Sequence, residues 1–292
     1  MAEEKVVKEV KAKKLADPVA ATIDPASQQM IEHAHSLGIE TAFDRAVTMK
    51  PCNIGTQGIC CKNCGMGPCR LPLPKGGIEG EDTRKGICGA TPNTIAARNF
   101  IRMIAGGAAA HSDHGRSVAE VFMSAARKET EAYKIKDTRK LVEVAKYLDI
   151  ETTVEIDGKT LDRDLDEIAV EVGEKALNEW GKAEGERLFA KRAPEPRYDL
   201  WKKRGVVPRN IDREIVEIMH RTHIGVDQDY KNLMKQGTRA AIADGWGGSM
   251  LATELQDILF GTPYPIASEA NLGVMKADMV NIVIHGHEPV LS

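Results

Sequence analysis

Several features that would point to common functions are missing from this 292-residue sequence. Aromatic residues make up only 4% of it, which disfavours the stacking platforms that bind single-stranded nucleic acids. Lysine and arginine number 40 against 43 aspartates and glutamates, so no basic excess predicts a nucleic-acid partner. The sequence has no run of about 18 apolar residues, so it predicts no membrane span. It has no apolar stretch near its start, so it predicts no secretory signal. We therefore expect a globular protein of the cytoplasm.

Cysteine is absent from residues 1–51 and 89–292, and all six cysteines lie between Cys52 and Cys88. Disulfide frameworks spread their bridges through small secreted domains, whereas this chain is large. One dense group of cysteines in a reducing compartment is more typical of thiolates that bind a metal.

The spacing of the cysteines predicts two metal centres. The run Cys61-x2-Cys64-x4-Cys69-x18-Cys88 supplies four thiolates, the number that holds one 4Fe–4S cluster. Because Cys60 is adjacent to Cys61, we expect the two side chains to diverge and to serve different centres. Cys52 and Cys60 then form half a ligand set, which the two-fold axis of a homodimer would complete.

A structural zinc site is the alternative for four of these cysteines. Zinc sites usually combine two C-x2-C pairs, and this segment contains only one. Glycines beside the predicted ligands would let the backbone approach a cluster closely and direct N–H groups at its sulfurs; they are Gly65, Gly67, Gly86 and Gly89.

Hydrophobic periodicity predicts a mainly α-helical protein. We expect a tail at 1–24, a helical domain at 25–262 with the iron–sulfur cluster loop at 52–90, and the start of a Rossmann-like α/β domain at 263–292. Asp24-Pro25 and Thr91-Pro92 predict helix starts. The helix after Thr91 is expected to end at Gly106-Gly107, and a second to begin near His111. Further helices are predicted at 138–148, 162–180, 211–221, 228–243 and 251–260, with a loop at 193–209.

The end of the sequence has a different pattern. Residues 279–284 are an apolar, β-branched run, which predicts a buried strand followed by a functional loop at His285-Gly286-His287. A lone buried strand leaves its backbone groups unpaired. We therefore expect the chain to be the front part of a longer polypeptide or to pair with another one.

The histidines admit two interpretations. His111 and His114 share one helix face. They are either structural side chains bonded to the backbone or a proton relay that works near neutral pH. Either His285 or His287 could bind a metal. The remaining four are expected to be structural or solvated: His220 and His223 near a helix end, and His33 and His35 on a surface helix.

Six motifs together resemble the catalytic subunit of the anaerobic nickel–iron carbon monoxide dehydrogenases. The resemblance runs from about residue 25 to the end, in matching order and spacing. The motifs are CNIGTQGICCKNCGMGPCR, GICGAT, GGAAAHSDHGRS, DILFGTP, EANLGV and IHGHEPVLS.

This resemblance implies a homodimer that oxidises CO with water to CO2, two protons and two electrons. A 4Fe–4S cluster called D, at the dimer axis, would take Cys52 and Cys60 from each subunit. A second 4Fe–4S cluster, called B, would take Cys61, Cys64, Cys69 and Cys88. One iron of the Ni–Fe–S centre, called C, would bind His287. Electrons would leave to a ferredoxin-like acceptor, and an acetyl-CoA synthase is a further candidate partner.

The resemblance also implies a proton relay through His111, His114 and Asp244. Ser117 and Glu120 stand where some members carry further histidines. The family's remaining C-centre ligands are cysteines after the HGH motif, and this sequence has none there. We therefore expect the amino-terminal part of such an enzyme, which needs the remaining carboxyl-terminal part for activity. The alternative is a stand-alone dimeric electron-transfer module without catalysis.

Overall fold

A computed structural model describes residues 14–50, 52–265, 267 and 277–281 of the chain. The described residues fall into two compact units, one from residues up to 53 together with 267 and 277–281, and one from 54 to 265. Within this described part, no helix is both long enough and apolar enough to cross a membrane.

The first unit contains three short helices: α1 (Pro18–Ala21), α2 (Pro25–Ser36) and α3 (Ala42–Thr48). Asp24 caps α2 by accepting from the Ser27 amide, as the Asp24-Pro25 pair predicted. The fully buried carboxylate of Asp44 accepts from the Ala16 amide at 2.7 Å. His35 Nε2 lies 2.9 Å from the same oxygen and only 14% of the His35 side chain is exposed. The expectation that His35 is solvated was therefore wrong, because Asp44 draws it inward.

The second unit is mainly helical, as predicted, and its largest core joins α4, α5, α6 and α10. Its strands form two short antiparallel pairs. The helices are α4 (Pro92–Ala126), α5 (Thr138–Tyr147), α6 (Leu165–Gly181), α7 (Glu195–Arg204), α8 (Ile211–Arg221), α9 (Tyr230–Ala243) and α10 (Met250–Phe260); the strands are β1 (Cys60–Cys61), β2 (Cys69–Arg70), β3 (Thr153–Ile156) and β4 (Lys159–Asp162); a 3-10 turn spans Leu188–Arg192.

Helix α4 runs for 35 residues without a break. Thr91 caps it by accepting from the Thr94 amide, as predicted. The predicted stop at Gly106-Gly107 and the separate helix near His111 were wrong. Each glycine costs an α-helix only about 1 kcal/mol relative to alanine. The buried side chains of α4 on both sides of the pair, from Ile95 to Phe122, outweigh that cost.

Two local features differ from the predicted loops. Residues 195–204, inside the predicted loop at 193–209, form α7, which ends at Gly205 with a φ of 64°. Residues 153–162 form the β3–β4 hairpin, where Asp157 and Gly158 both have positive φ. Positive φ at both turn residues is the geometry that Asp-Gly sequences favour in two-residue hairpins.

A π-helical turn at Asp244–Ser249 joins α9 to α10 without interruption. Such turns are rare and often lie at functional sites. The turn brings Asp244 toward α4.

The predicted strand at 279–284 falls largely outside the described residues. Met279 and Val280 are exposed, and neither lies in a strand. The division at residues 24 and 262 and the Rossmann-like start stay predictions.

Candidate functional site

The cysteine segment folds around a minimal hairpin. Strand β1 pairs antiparallel with β2, which places Cys61 opposite Cys69 and Cys60 opposite Arg70. Successive side chains of a strand point to opposite faces, so Cys60 and Cys61 diverge. Directly opposed residues share a face, so Cys61 and Cys69 project to the same side.

One pocket collects four of the six cysteines. Its lining includes Cys61, Cys64, Cys69 and Cys88 together with apolar side chains such as Ile95 of α4. The same hairpin rests on a small apolar core around Ile59, Leu71 and Ala90. The pocket therefore places the thiols against the start of α4.

One glycine of this loop lies too close to neighbouring backbone atoms to leave room for a Cβ. A Cβ at Gly67 would lie 2.9 Å from the Cys61 carbonyl oxygen and 3.2 Å from the Cys69 nitrogen. By contrast, a Cβ at Gly65 would meet nothing within 4 Å. Close approach of the backbone, expected at all the flanking glycines, is thus strongest at Gly67.

Hydrogen-bond donors converge on the thiols. The Ile87 amide lies 3.5 Å from Cys69 Sγ, and the Arg98 guanidinium lies 3.6 Å from Cys88 Sγ. Burial raises the pKa of Cys88, but donors from the Ala90 backbone, Arg98, the Gly225 backbone and Gln228 outweigh burial and lower it to about 7. Since metals bind thiolates and not thiols, this environment favours the ligating form of Cys88.

Cys60 and Cys52 do not line this pocket. Cys60 is half-buried and Cys52 is exposed. Asn99 of α4 donates to the carbonyl oxygens of Gly58 and Cys60, each at 3.0 Å, which fixes the backbone of Cys60. Across the described ranges, no three His, Cys, Asp or Glu side chains converge as a single metal ion would require.

A second polar group lies further along α4. His111 Nδ1 donates to Asp244 Oδ1 at 2.7 Å, and Ser249 Oγ lies 3.2 Å from the same nitrogen. The π turn can approach this closely because Gly248 has no side chain: a Cβ there would lie 3.2 Å from His111 Cβ. The structure thus brings together two of the three predicted relay residues.

His114, the third predicted relay residue, lies one turn further along α4. It lines a separate pocket with Ser117, Tyr133 and Gln256. His287, the predicted iron ligand, lies outside the described residues.

Arg98 is a site residue that sequence reasoning missed. It occupies a buried face of α4 between Ile95 and Ile101, three residues from each. A charged residue in the middle of an apolar helix face is a signal that could have found it, because buried arginines need a partner. Its contacts with Cys88 and Asp227 could not have been found from local sequence.

Residues 59–292 match the model of the Prismane/CO dehydrogenase family. The chain belongs to this family. Carbon monoxide dehydrogenase 1 of Methanosarcina acetivorans, one of its relatives, is 51% identical over 273 residues, which cover 93% of this chain and 41% of the relative. The carbon monoxide dehydrogenase/acetyl-CoA synthase subunit beta of Moorella thermoacetica is 42% identical over 275 residues, 93% of this chain and 39% of that protein.

A solved structure of a carbon monoxide dehydrogenase supports the same family assignment. The Ni-free structure of carbon monoxide dehydrogenase from Thermococcus sp. AM4 superimposes with a TM-score of 0.78 at 46% identity, over 99% of this chain and 43% of that one. The resemblance to carbon monoxide dehydrogenases that the motifs indicated is therefore confirmed. The chain spans about two fifths of the length of these relatives.

Proposed function

We propose that this chain supplies the amino-terminal, electron-transferring part of an anaerobic carbon monoxide dehydrogenase, which converts CO and water to CO2, two protons and two electrons. The observation that carries the proposal is the pocket lined by all four cysteines of the C-x2-C-x4-C-x18-C run. The relatives named as carbon monoxide dehydrogenases support the reaction.

Cys61, Cys64, Cys69 and Cys88 would hold the B cluster. Four thiols around one pocket are the donor set of a 4Fe–4S cluster, and the donors at Cys69 and Cys88 suit a group that carries negative charge on its sulfurs. The cluster supplies reversible one-electron transfer when bound. The buried side chains of Ile95 and Ala90 would exclude water from one side of the cluster.

Cys52 and Cys60 would complete the D cluster with the same two residues of a second copy. The opposite orientations of Cys60 and Cys61 in β1 support separate centres. A ferredoxin-like acceptor and, by analogy with the name of the Moorella relative, an acetyl-CoA synthase are the candidate partners.

His287 would bind an iron of the Ni–Fe–S centre, whose remaining ligands would come from the rest of the subunit. His111 would exchange protons through the ring nitrogen that does not face Asp244. The carboxylate of Asp244 accepts from Nδ1, which fixes the tautomer of the ring. His114 would take the next position along α4.

Metal analysis of the anaerobically purified full chain tests the proposal. One whole cubane plus half of a shared one predicts about six iron and six sulfide per chain in a dimer. Cys64→Ser should remove about four iron per chain, whereas Cys52→Ser should remove about two and leave the B cluster. Zinc without iron or sulfide, in a monomer, would refute the cluster assignment.

A stand-alone electron-transfer module is the second candidate. The observation that favours it is that the cysteines proposed for both electron-transfer clusters lie together in residues 52–88. Co-expression with the carboxyl-terminal part of a related subunit separates the two functions. CO-dependent viologen reduction supports the enzyme, and its absence in a complex that holds iron and nickel supports the module.

A further inference from the structure

A buried cation lies at the cysteine pocket. Arg98 is 1% exposed and lines the pocket together with the four cysteines. Its Nη1 lies 3.6 Å from Cys88 Sγ. An arginine in this position brings a permanent positive charge into the surroundings of the sulfurs.

The other nitrogens of Arg98 do not neutralise this charge. Nη2 donates to the Asp227 carbonyl oxygen at 2.7 Å, and Nε is buried without a hydrogen-bond partner. In the part of the chain described by the structure, no carboxylate forms an ion pair with Arg98, and the carboxylate of Asp227 pairs with Arg221 instead. Burying an unpaired charge is costly, so the guanidinium needs a negatively charged partner. The thiolates of the pocket provide that partner.

The remaining donors at these sulfurs are neutral. Gln228 Nε2 donates to the Cys88 carbonyl oxygen at 2.9 Å and lies 3.9 Å from Cys88 Sγ. The Ile87 amide faces Cys69. Arg98 is therefore the one full positive charge among the described residues that line the pocket.

We propose that Arg98 sets the reduction potential of the cluster held by Cys61, Cys64, Cys69 and Cys88. The inference rests on the proposed function, since it requires that cluster. Reduction adds one electron and so one negative charge to the cluster and its thiolates. A cation fixed in a low-dielectric pocket stabilises the more negative state, which raises the potential. Arg98 is thus a positioning residue for electron transfer that acts through Cys88.

Four variants of the full chain separate this role from a structural one. Arg98→Met removes the charge and both hydrogen bonds, and Arg98→Gln keeps a polar group without charge. Arg98→Lys keeps the charge without the planar fork. Arg102→Met is the matched control: Arg102 lies one turn further along α4, donates to Thr222 Oγ1 at 2.7 Å, and does not line the pocket.

The measurement is a dithionite titration of the anaerobically purified proteins, followed by electron paramagnetic resonance, after iron and sulfide have been counted. We expect Arg98→Met to disfavour the reduced cluster at least tenfold, a shift of about 59 mV to more negative potential for one electron. Arg98→Gln should shift in the same direction, while Arg98→Lys and Arg102→Met should stay near the parent value.

Two failures are distinguishable. If the unaltered chain holds no iron, the proposed function fails. If Arg98→Met or Arg98→Gln keeps its iron and titrates at the parent potential, the inference about Arg98 is overturned while the cluster assignment stands. Should Arg98→Met lose its iron, Arg98→Gln carries the comparison. If both lose their iron, Arg98→Lys decides: a potential near the parent value supports the inference, and a shift of about 59 mV or more to negative potential overturns it.

Discussion

Replacing Gly115 with alanine tests how closely α4 packs against α6. An alanine Cβ would lie 2.6 Å from Trp180 Cζ2 and 2.9 Å from its Nε1, whereas carbon atoms in contact normally lie about 3.5–4.0 Å apart. The indole is fully buried and cannot move into solvent. Overpacking lowers the free energy of unfolding by about 1–3 kcal/mol, and the higher helix propensity of alanine offsets about 1 kcal/mol of that loss. We therefore expect Gly115→Ala to lower the free energy of unfolding by about 1 kcal/mol on balance.

Gly107→Ala on the same helix is the control. Gly107 is exposed and a Cβ there would meet nothing within 4 Å. This variant should raise the free energy of unfolding by about 0.5–1 kcal/mol, through helix propensity alone. Urea unfolding of the full chain, followed by far-ultraviolet circular dichroism, measures both, with unchanged m values as the check on comparability. Equal stabilisation by the two alanines would show that α4 and α6 pack less closely than described.

Two further predictions concern other parts of the chain. A Cβ at Gly247 would lie 1.9 Å from Cζ of the fully buried Arg187, whereas one at Gly245 in the same π turn would meet nothing within 4 Å. Gly247→Ala should therefore cost about 1–3 kcal/mol in urea unfolding, and Gly245→Ala should not. The Ala16 and Thr41 amides hold the pKa of Asp44 below its ordinary value of 3.8, so this carboxylate stabilises the first unit above about pH 4 and loses that effect as the pH falls. The hydrogen-exchange protection factors of residues 16–48, which are corrected for the intrinsic pH dependence of exchange, should fall on acidification, and Asp44→Asn should remove that fall.

The features that the sequence predicted depend on neighbouring residues. Asp24 and Thr91 cap helices because the capping oxygen and the amide it accepts from lie three residues apart. The four cysteines of the pocket lie within 28 residues, so their spacing alone indicated a shared site. The hairpin at 153–162 was missed although its Asp157-Gly158 turn was visible in the sequence.

The features that escaped sequence reasoning depend on distant partners. Arg98 reaches Asp227 and Gln228 approaches Cys88, contacts that span 129 and 140 residues. Local propensity favoured a break at Gly106-Gly107, but packing of α4 against α6, α9 and α10 decides its length. Only a tertiary structure shows which distant segment the cation contacts and which distant helices supply the packing surface.

The continuity of α4 changes what can be expected of the two candidate sites. Arg98 at the cysteine pocket and His111 beside Asp244 lie on the same unbroken helix. At a rise of 1.5 Å per residue, the helix separates them by about 20 Å. A break at Gly106-Gly107 would have placed a hinge between them, and the distance between the proposed cluster site and the proposed proton relay would then vary. Because α4 is instead packed along its length, the two sites are held at one separation and belong to a single body.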